Sequence, residues 1–212
     1  VTTGGHIWAK LKEIFLGVLE IPYISQELNE MQRPLLLHLS DTPSMMYSYL
    51  GRLLRRLEPD YLIHTGDMVD DVKLELAPRQ VDEYREKLRK FLEILQERNL
   101  RGAYLVPGNH DSRAVVEELG FGEYIVREGT TVHLQRYRIR LDHDYRAFSG
   151  EAEFHLYGHT PDVSSDLTAS PVRLNGIEHI HVISLKDGSV HTLPYPAGTD
   201  SARKMLMLKV GM

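Results

Sequence analysis

The chain has no cysteine among its 212 residues. This excludes disulfides, thiolate metal sites and a cysteine nucleophile, and leaves any metal to oxygen and nitrogen donors. No apolar stretch approaches the ~20 residues that cross a bilayer, and the N-terminus lacks a basic region followed by an uninterrupted apolar core. The expectation is a cytoplasmic protein with no membrane partner. An excess of positive charge is missing too: the formal charge is −5 with acidic and basic residues interspersed, so nucleic acid is not favoured as a partner. Internal repeats and low-complexity segments are also lacking. What is there is 42% hydrophobic content, enough for one sizeable core, at a length that suits one large domain.

Short polar clusters punctuate the chain, each following directly on an apolar run. They end at Asp41, at Asp67, at Asn109-His110-Asp111, at Asp142-His143-Asp144 and at His159. In an open α/β sheet the loops at the carboxyl ends of the strands gather along one edge, so residues far apart in sequence can share one pocket. Carboxylate, amide and imidazole would meet there, which is a metal-site inventory.

Ile7, Trp8, Leu11, Ile14, Phe15, Val18 and Leu19 recur at helical spacing and predict an amphipathic helix for packing or dimerisation. Thr42-Pro43 marks a helix start with apolar positions at 46, 50, 53, 54 and 57, and Pro59 ends it. A second long helix is expected at about 80–98, and a short one ending at Leu119. Strands are expected from Leu35, over Tyr61–Thr65 and over Ala103–Val106. From Thr131 onward the reading is short strands at 131–134, 137–141, 153–157, 180–185 and 189–193, the last two joined by Lys186-Asp187-Gly188. Two face-packed sheets with helices outside would cover strands that are buried on both sides. Pro194 to Ser201 reads as a linker to an apolar patch at 205–208. The division is thus a helical extension over 1–33, a domain over 34–194, and a linker and apolar tail over 195–212. Homo-oligomerisation would use the N-terminal helix or the tail.

The ordered set Asp41, Gly66-Asp67-x-x-Asp70, Gly108-Asn109-His110-Asp111, His143 and Gly158-His159-Thr160 resembles the calcineurin-like metallophosphoesterase family, from Leu35 to about Leu193. The resemblance implies an α/β fold, a four-layer α/β/β/α sandwich, with two divalent ions hydrolysing phosphate mono- or diesters by in-line attack of a metal-bound hydroxide. It also implies roles. Asp67 bridges the ions, Asn109, His143 and His159 complete the second site, and Asp41 serves the first. His110 is the proton donor or charge stabiliser at the departing oxygen, and Asp70 orients it. The ions are expected to be Mn2+, with Fe, Zn or Mg as alternatives, one or two per chain. A shallow, exposed site is expected, because few residues between the motifs are left for a cap; a phosphorylated small molecule is the expected substrate, with small phosphodiesters, phosphomonoesters and phosphoprotein left open.

The first site departs from the family pattern. Pro43 and Pro161 stand where that pattern has histidines, which leaves Asp41 and Asp67 short of a transition-metal ligand set. Asp162 and the hydroxyls of Thr42 and Thr160 are the nearest substitutes in sequence. A weakened first site allows an alternative, a non-catalytic protein-interaction module on the same fold. Outside the motifs, His38, His64, His179 and His181 read as structural or exposed, and His155 as ambiguous. Asp142 or Asp144 could orient His143. Asp71 reads as a loop charge, and Arg113 as a salt bridge or a phosphate contact.

Overall fold

A computed structural model describes residues 21–147 and 151–203. The expected N-terminal helix over residues 7–19 and the apolar patch at 205–208 lie outside the described residues. The strands are β1 (Leu35–Leu39), β2 (Tyr61–His64), β3 (Gly102–Leu105), β4 (Thr130–Leu134), β5 (Tyr137–Asp144), β6 (Phe154–Gly158), β7 (Val172–Asn175), β8 (Ile180–Ser184) and β9 (Val190–Leu193). The α-helices are α1 (Gln26–Asn29), α2 (Tyr47–Leu57), α3 (Val81–Gln96), α4 (Arg113–Glu118) and α5 (Thr199–Ala202). They form two mixed sheets, β3-β2-β1-β8-β9 and β4-β5-β6-β7. In the first, β1, β2 and β3 run parallel, β8 is antiparallel to β1, and β9 is antiparallel to β8. In the second, β4 is antiparallel to β5, and β5, β6 and β7 run parallel.

The unbroken Leu35-Leu36-Leu37 run follows from burial of β1 on both faces. Leu35, Leu37 and Leu39 pack with Leu50, Leu53 and Leu54 of α2 and Leu88, Phe91 and Leu92 of α3. Leu36 points the other way, with Ile63 and Ile183, onto Ile139, Leu141, Phe154 and Leu156 of the second sheet. Each such large side chain, fully buried, contributes about 1.5–3 kcal/mol. Helices therefore cover one face of the first sheet and the second sheet covers its other face, the two-sheet α/β arrangement expected from the sequence.

Three features differ from the sequence reading. Strand β7 was not anticipated, because Val172-Arg173-Leu174-Asn175 alternates too briefly to stand out. Strand β5 runs through Asp144 instead of stopping at Leu141, with a register shift against β6 between these two residues. The stretch read as a linker carries the short helix α5, and its Thr199 and the following Arg203 are buried.

Candidate metal centre

The carboxyl ends of β1, β2 and β3 lie side by side, and backbone hydrogen bonds continue beyond the strands. Asp41 N–H donates to Gly66 O (2.9 Å), Thr42 N–H to Asp67 O (2.9 Å) and Asp70 N–H to Thr42 O (3.1 Å). Asp41 and Asp67 are thereby carried on one zipped pair of loops. The Asn109 loop is fastened to them by Asp111, whose carboxylate accepts from the N–H groups of Asp67 (2.8 Å), Met68 (2.9 Å) and Gly108 (2.8 Å) and from the Tyr84 hydroxyl (2.9 Å). A Cβ on Gly108 would fall on Asp67 Oδ1, and one on Gly158 would lie 2.5 Å from Asp41 Oδ2. These two motif glycines are therefore set by close approach to the expected ligands.

The second sheet supplies the imidazoles. The register shift in β5 brings His143 toward the first sheet, a known use of such irregularities beside functional sites. His159 follows β6 directly. Its ring centroid lies 4.8 Å from that of His143. Nitrogen and carboxylate oxygen atoms of Asp67, His143 and His159 come within 4.8 Å of one another, as do carboxylate oxygens of Asp41, Asp67 and Asp70.

Proton bookkeeping tests whether this donor set fits a cation. The Thr65 carbonyl can only accept, so the His143 Nδ1–H donates to it (2.7 Å), which makes Nε2 the ring atom available to a metal. That nitrogen lies 3.0 Å from Asn109 Oδ1 and 3.7 Å from Asp67 Oδ2. The amide orientation is fixed by donation from Asn109 Nδ2 to Glu75. An imidazole nitrogen, an amide oxygen and a carboxylate oxygen converging in this way make a donor set that suits a divalent cation. Asp67, Asn109, His143 and His159 could hold one.

Electrostatics agree. Burial, then the charges of Asp41, Asp111 and Asp70, push the Asp67 carboxyl well above its ordinary range. Burial and Asp41 raise Asp70 to about 7, against the pull of Lys73. Like charges crowded out of water oppose ionisation, and a bound cation relieves them. Burial lowers His159, with His143 adding to the effect. His110 is lowered to about 4 by burial and then by Lys73.

Several expectations need correction. Asp70 was expected to orient His110, but its carboxylate takes the Lys73 ammonium and lies with Asp41 and Asp67. His110 faces Glu75 instead (3.8 Å), and its backbone N–H donates to Asp67 Oδ1 (3.0 Å). Neither neighbour orients His143: Asp142 bonds Arg140 and His155, and Asp144 bonds Arg146. The Thr65 carbonyl does so. Asp162 is exposed and is not among the gathered ligand atoms, and the Thr42 hydroxyl is engaged with His64 (3.0 Å) and Met68 O (2.9 Å). The third oxygen donor beside Asp41 and Asp67 is Asp70.

The remaining groups have structural partners. His64 accepts from Gly66 N–H (3.2 Å), and His38 contacts Thr65 Oγ1 (3.0 Å) while stacking on His181. His179 is half-exposed, 6.4 Å by ring centroid from His181. His155 is buried on Asp142 (3.0 Å). Asp71 caps Ser44 and pairs with Lys87, and Arg113 pairs with Glu117 on the surface. Pro43 opens the single 3-10 turn before α2, and Pro161 is exposed.

Three groups escaped sequence reasoning. Lys73 and Glu75 could have been suspected from their closeness to Asp70. Arg203 carried no signal, being far along the chain. It is buried, donates to Asp41 O (2.6 Å), Ile177 O (2.7 Å) and Ser40 O (3.3 Å), and stacks over the Tyr195 ring at 4.3 Å.

Among solved structures, Yfce, a phosphoesterase from E. coli, is 18% identical and superposes with a TM-score of 0.51, over 76% of this chain and 98% of that one. A second structure, 10% identical, gives a TM-score of 0.54 over 76% and 99%. The solution structure of protein TM1076 from Thermotoga maritima is 22% identical, with a TM-score of 0.43 over 77% and 99%. No curated protein sequence matches the chain. At these identities the first two likenesses establish the fold alone. The family model for calcineurin-like phosphoesterases matches residues 34–193, most of the chain, and on that match this protein belongs to the calcineurin-like phosphoesterase family.

Proposed function

We propose that the protein is a metal-dependent hydrolase of small phosphate mono- or diesters, with one well-furnished metal site and a reduced first site. The observation that carries this reading is the convergence of His143 Nε2 and Asn109 Oδ1 beside Asp67 and His159. Asp67, Asn109, His143 and His159 would hold the ion, and manganese suits their oxygen and imidazole donors. A bound divalent ion supplies Lewis acidity toward a phosphoryl oxygen and makes a coordinated water more acidic. This chain's own part is to hold the ester against that site. His110, mostly buried beside it with its backbone N–H on Asp67, would stabilise the charge that develops on the departing oxygen. Asp111 keeps the Asn109-His110 turn against Asp67, so the groups are positioned in advance.

Loss of both first-site histidines supports a second reading, a protein-interaction module on the same fold. Purification without chelator, manganese stoichiometry, and hydrolysis of an aryl phosphodiester separate the two. The expected outcome is bound manganese and turnover. His110→Ala should lower kcat roughly 100-fold or more with manganese retained, and Asp67→Ala should lose the manganese. Turnover surviving both substitutions, or a wild-type protein with neither metal nor turnover, rejects the enzyme reading.

A further inference from the structure

The Asp41 side of the pocket is rich in negative charge and poor in anything that could receive a phosphate. Asp41, Asp67 and Asp70 are 3%, 2% and 2% exposed, their carboxylates lie together, and prolines occupy both positions where imidazoles were expected. A phosphate ester is itself an anion. To approach three carboxylates it needs a cation on that side as well as on the His143 side.

The chain supplies one. Lys73 reaches from the loop after Asp70 and bonds the Asp70 carboxylate. Its ammonium is thereby fixed at the edge of the carboxylate cluster. An ammonium has three donors, and a side chain 23% exposed leaves it open to solvent. The other nearby cations are placed differently. Arg203 is buried with its donors on backbone carbonyls and Asp200, Arg113 is exposed and paired with Glu117, and Arg146 is held on Asp144.

We infer that Lys73 is a substrate-binding residue whose ammonium, held by Asp70, donates to a non-bridging oxygen of the substrate phosphoryl group. The inference rests on the phosphoesterase reading and assigns to a lysine the anion-binding work on the Asp41 side. Asp70 is then a positioning residue for Lys73 rather than for His110.

Inorganic phosphate is the probe. Titrated calorimetrically into the manganese-loaded full chain, it should bind Lys73→Gln roughly tenfold or more weakly than wild type, with Lys73→Arg within roughly threefold. Manganese stoichiometry should be the same in all three. In the wild-type protein, phosphate should slow acetylation of Lys73, followed by mass spectrometry, and leave that of exposed Lys90 on α3 unchanged. This second measurement decides the matter if Lys73→Gln does not fold. Equal phosphate affinity in Lys73→Gln, unprotected Lys73, or no phosphate binding by wild type overturns the inference. Turnover of the aryl phosphodiester alongside any of these rejects the role of Lys73 alone, whereas absence of both manganese and turnover rejects the phosphoesterase reading with it.

Discussion

Asp41, Asp67 and His159 hold φ angles of 51°, 56° and 57°. Residues with a Cβ disfavour this left-handed region, and they persist in it where the surroundings over-determine the backbone. Here they do: the zipped loops fix Asp41 and Asp67, and His159 N–H is tied to Asp41 Oδ2 at 3.1 Å. The residue types and their order were legible in the sequence, because each motif follows a strand end. Their directions were not. Nothing in Gly-Asp-x-x-Asp tells that the second carboxylate turns toward Asp41, since the competing partner, Lys73, is selected only once the loop has folded. The Asp70 carboxyl titrates near 7 when folded and near 3.9 when unfolded. The folded state therefore holds its proton more tightly, and the metal-free protein loses stability as pH rises from about 4 to about 7, by up to ~1.4 kcal/mol per unit. Asp70→Asn removes that titration. In chelator it should melt higher than wild type at pH 8, and the advantage should shrink toward pH 4.5; an advantage constant across this range would refute the assignment.

At the scale of elements, β1, β2, β3, α2 and α3 were readable because their apolar periods are long and their ends are marked by Pro43, Pro59 or a polar cluster. Strand β7 and the fold of residues 195–203 were not. A proline-rich stretch looks like a spacer until its one arginine finds three carbonyls on the opposite side of the chain. Arg203 holds the Asp41 loop from behind, through Ser40 O and Asp41 O, and Tyr195 braces the same turn through Ser40 N–H (3.2 Å) and Ser40 O (3.0 Å). Deleting the guanidinium strands buried acceptors, each worth about 1–3 kcal/mol. Arg203→Ala should cost about 3 kcal/mol in urea unfolding and weaken manganese binding through displacement of Asp41. A stability within about 0.5 kcal/mol of wild type would show that the contact is incidental.

Over the whole molecule, the two sheets meet across a seam that is apolar at one end and polar near the site. His38 and His181 stack within it at 5.4 Å, and His64 lies on the other face of the first sheet, against Phe91. Burial holds His64 and His181 at about 3 and His38 well below the ordinary imidazole range. These rings stay neutral when folded and take up protons when unfolded, so stability is full above about 6.5 and falls as pH drops below it, by at most ~1.4 kcal/mol per unit for each ring. His38→Asn combined with His181→Asn should flatten the loss measured between pH 6.5 and 4.5, whatever the effect on stability at pH 8. An unchanged slope would mean that the acid sensitivity lies elsewhere.

His143 belongs to the second sheet but donates to Thr65 at the end of β2 in the first. Asp67 and Asn109 come from the first sheet, and His143 and His159 from the second. The pocket is therefore a rivet hole drilled through two plates. A cation held there would fasten the plates as well, so the more tightly it binds, the more it would stabilise the joined sheets.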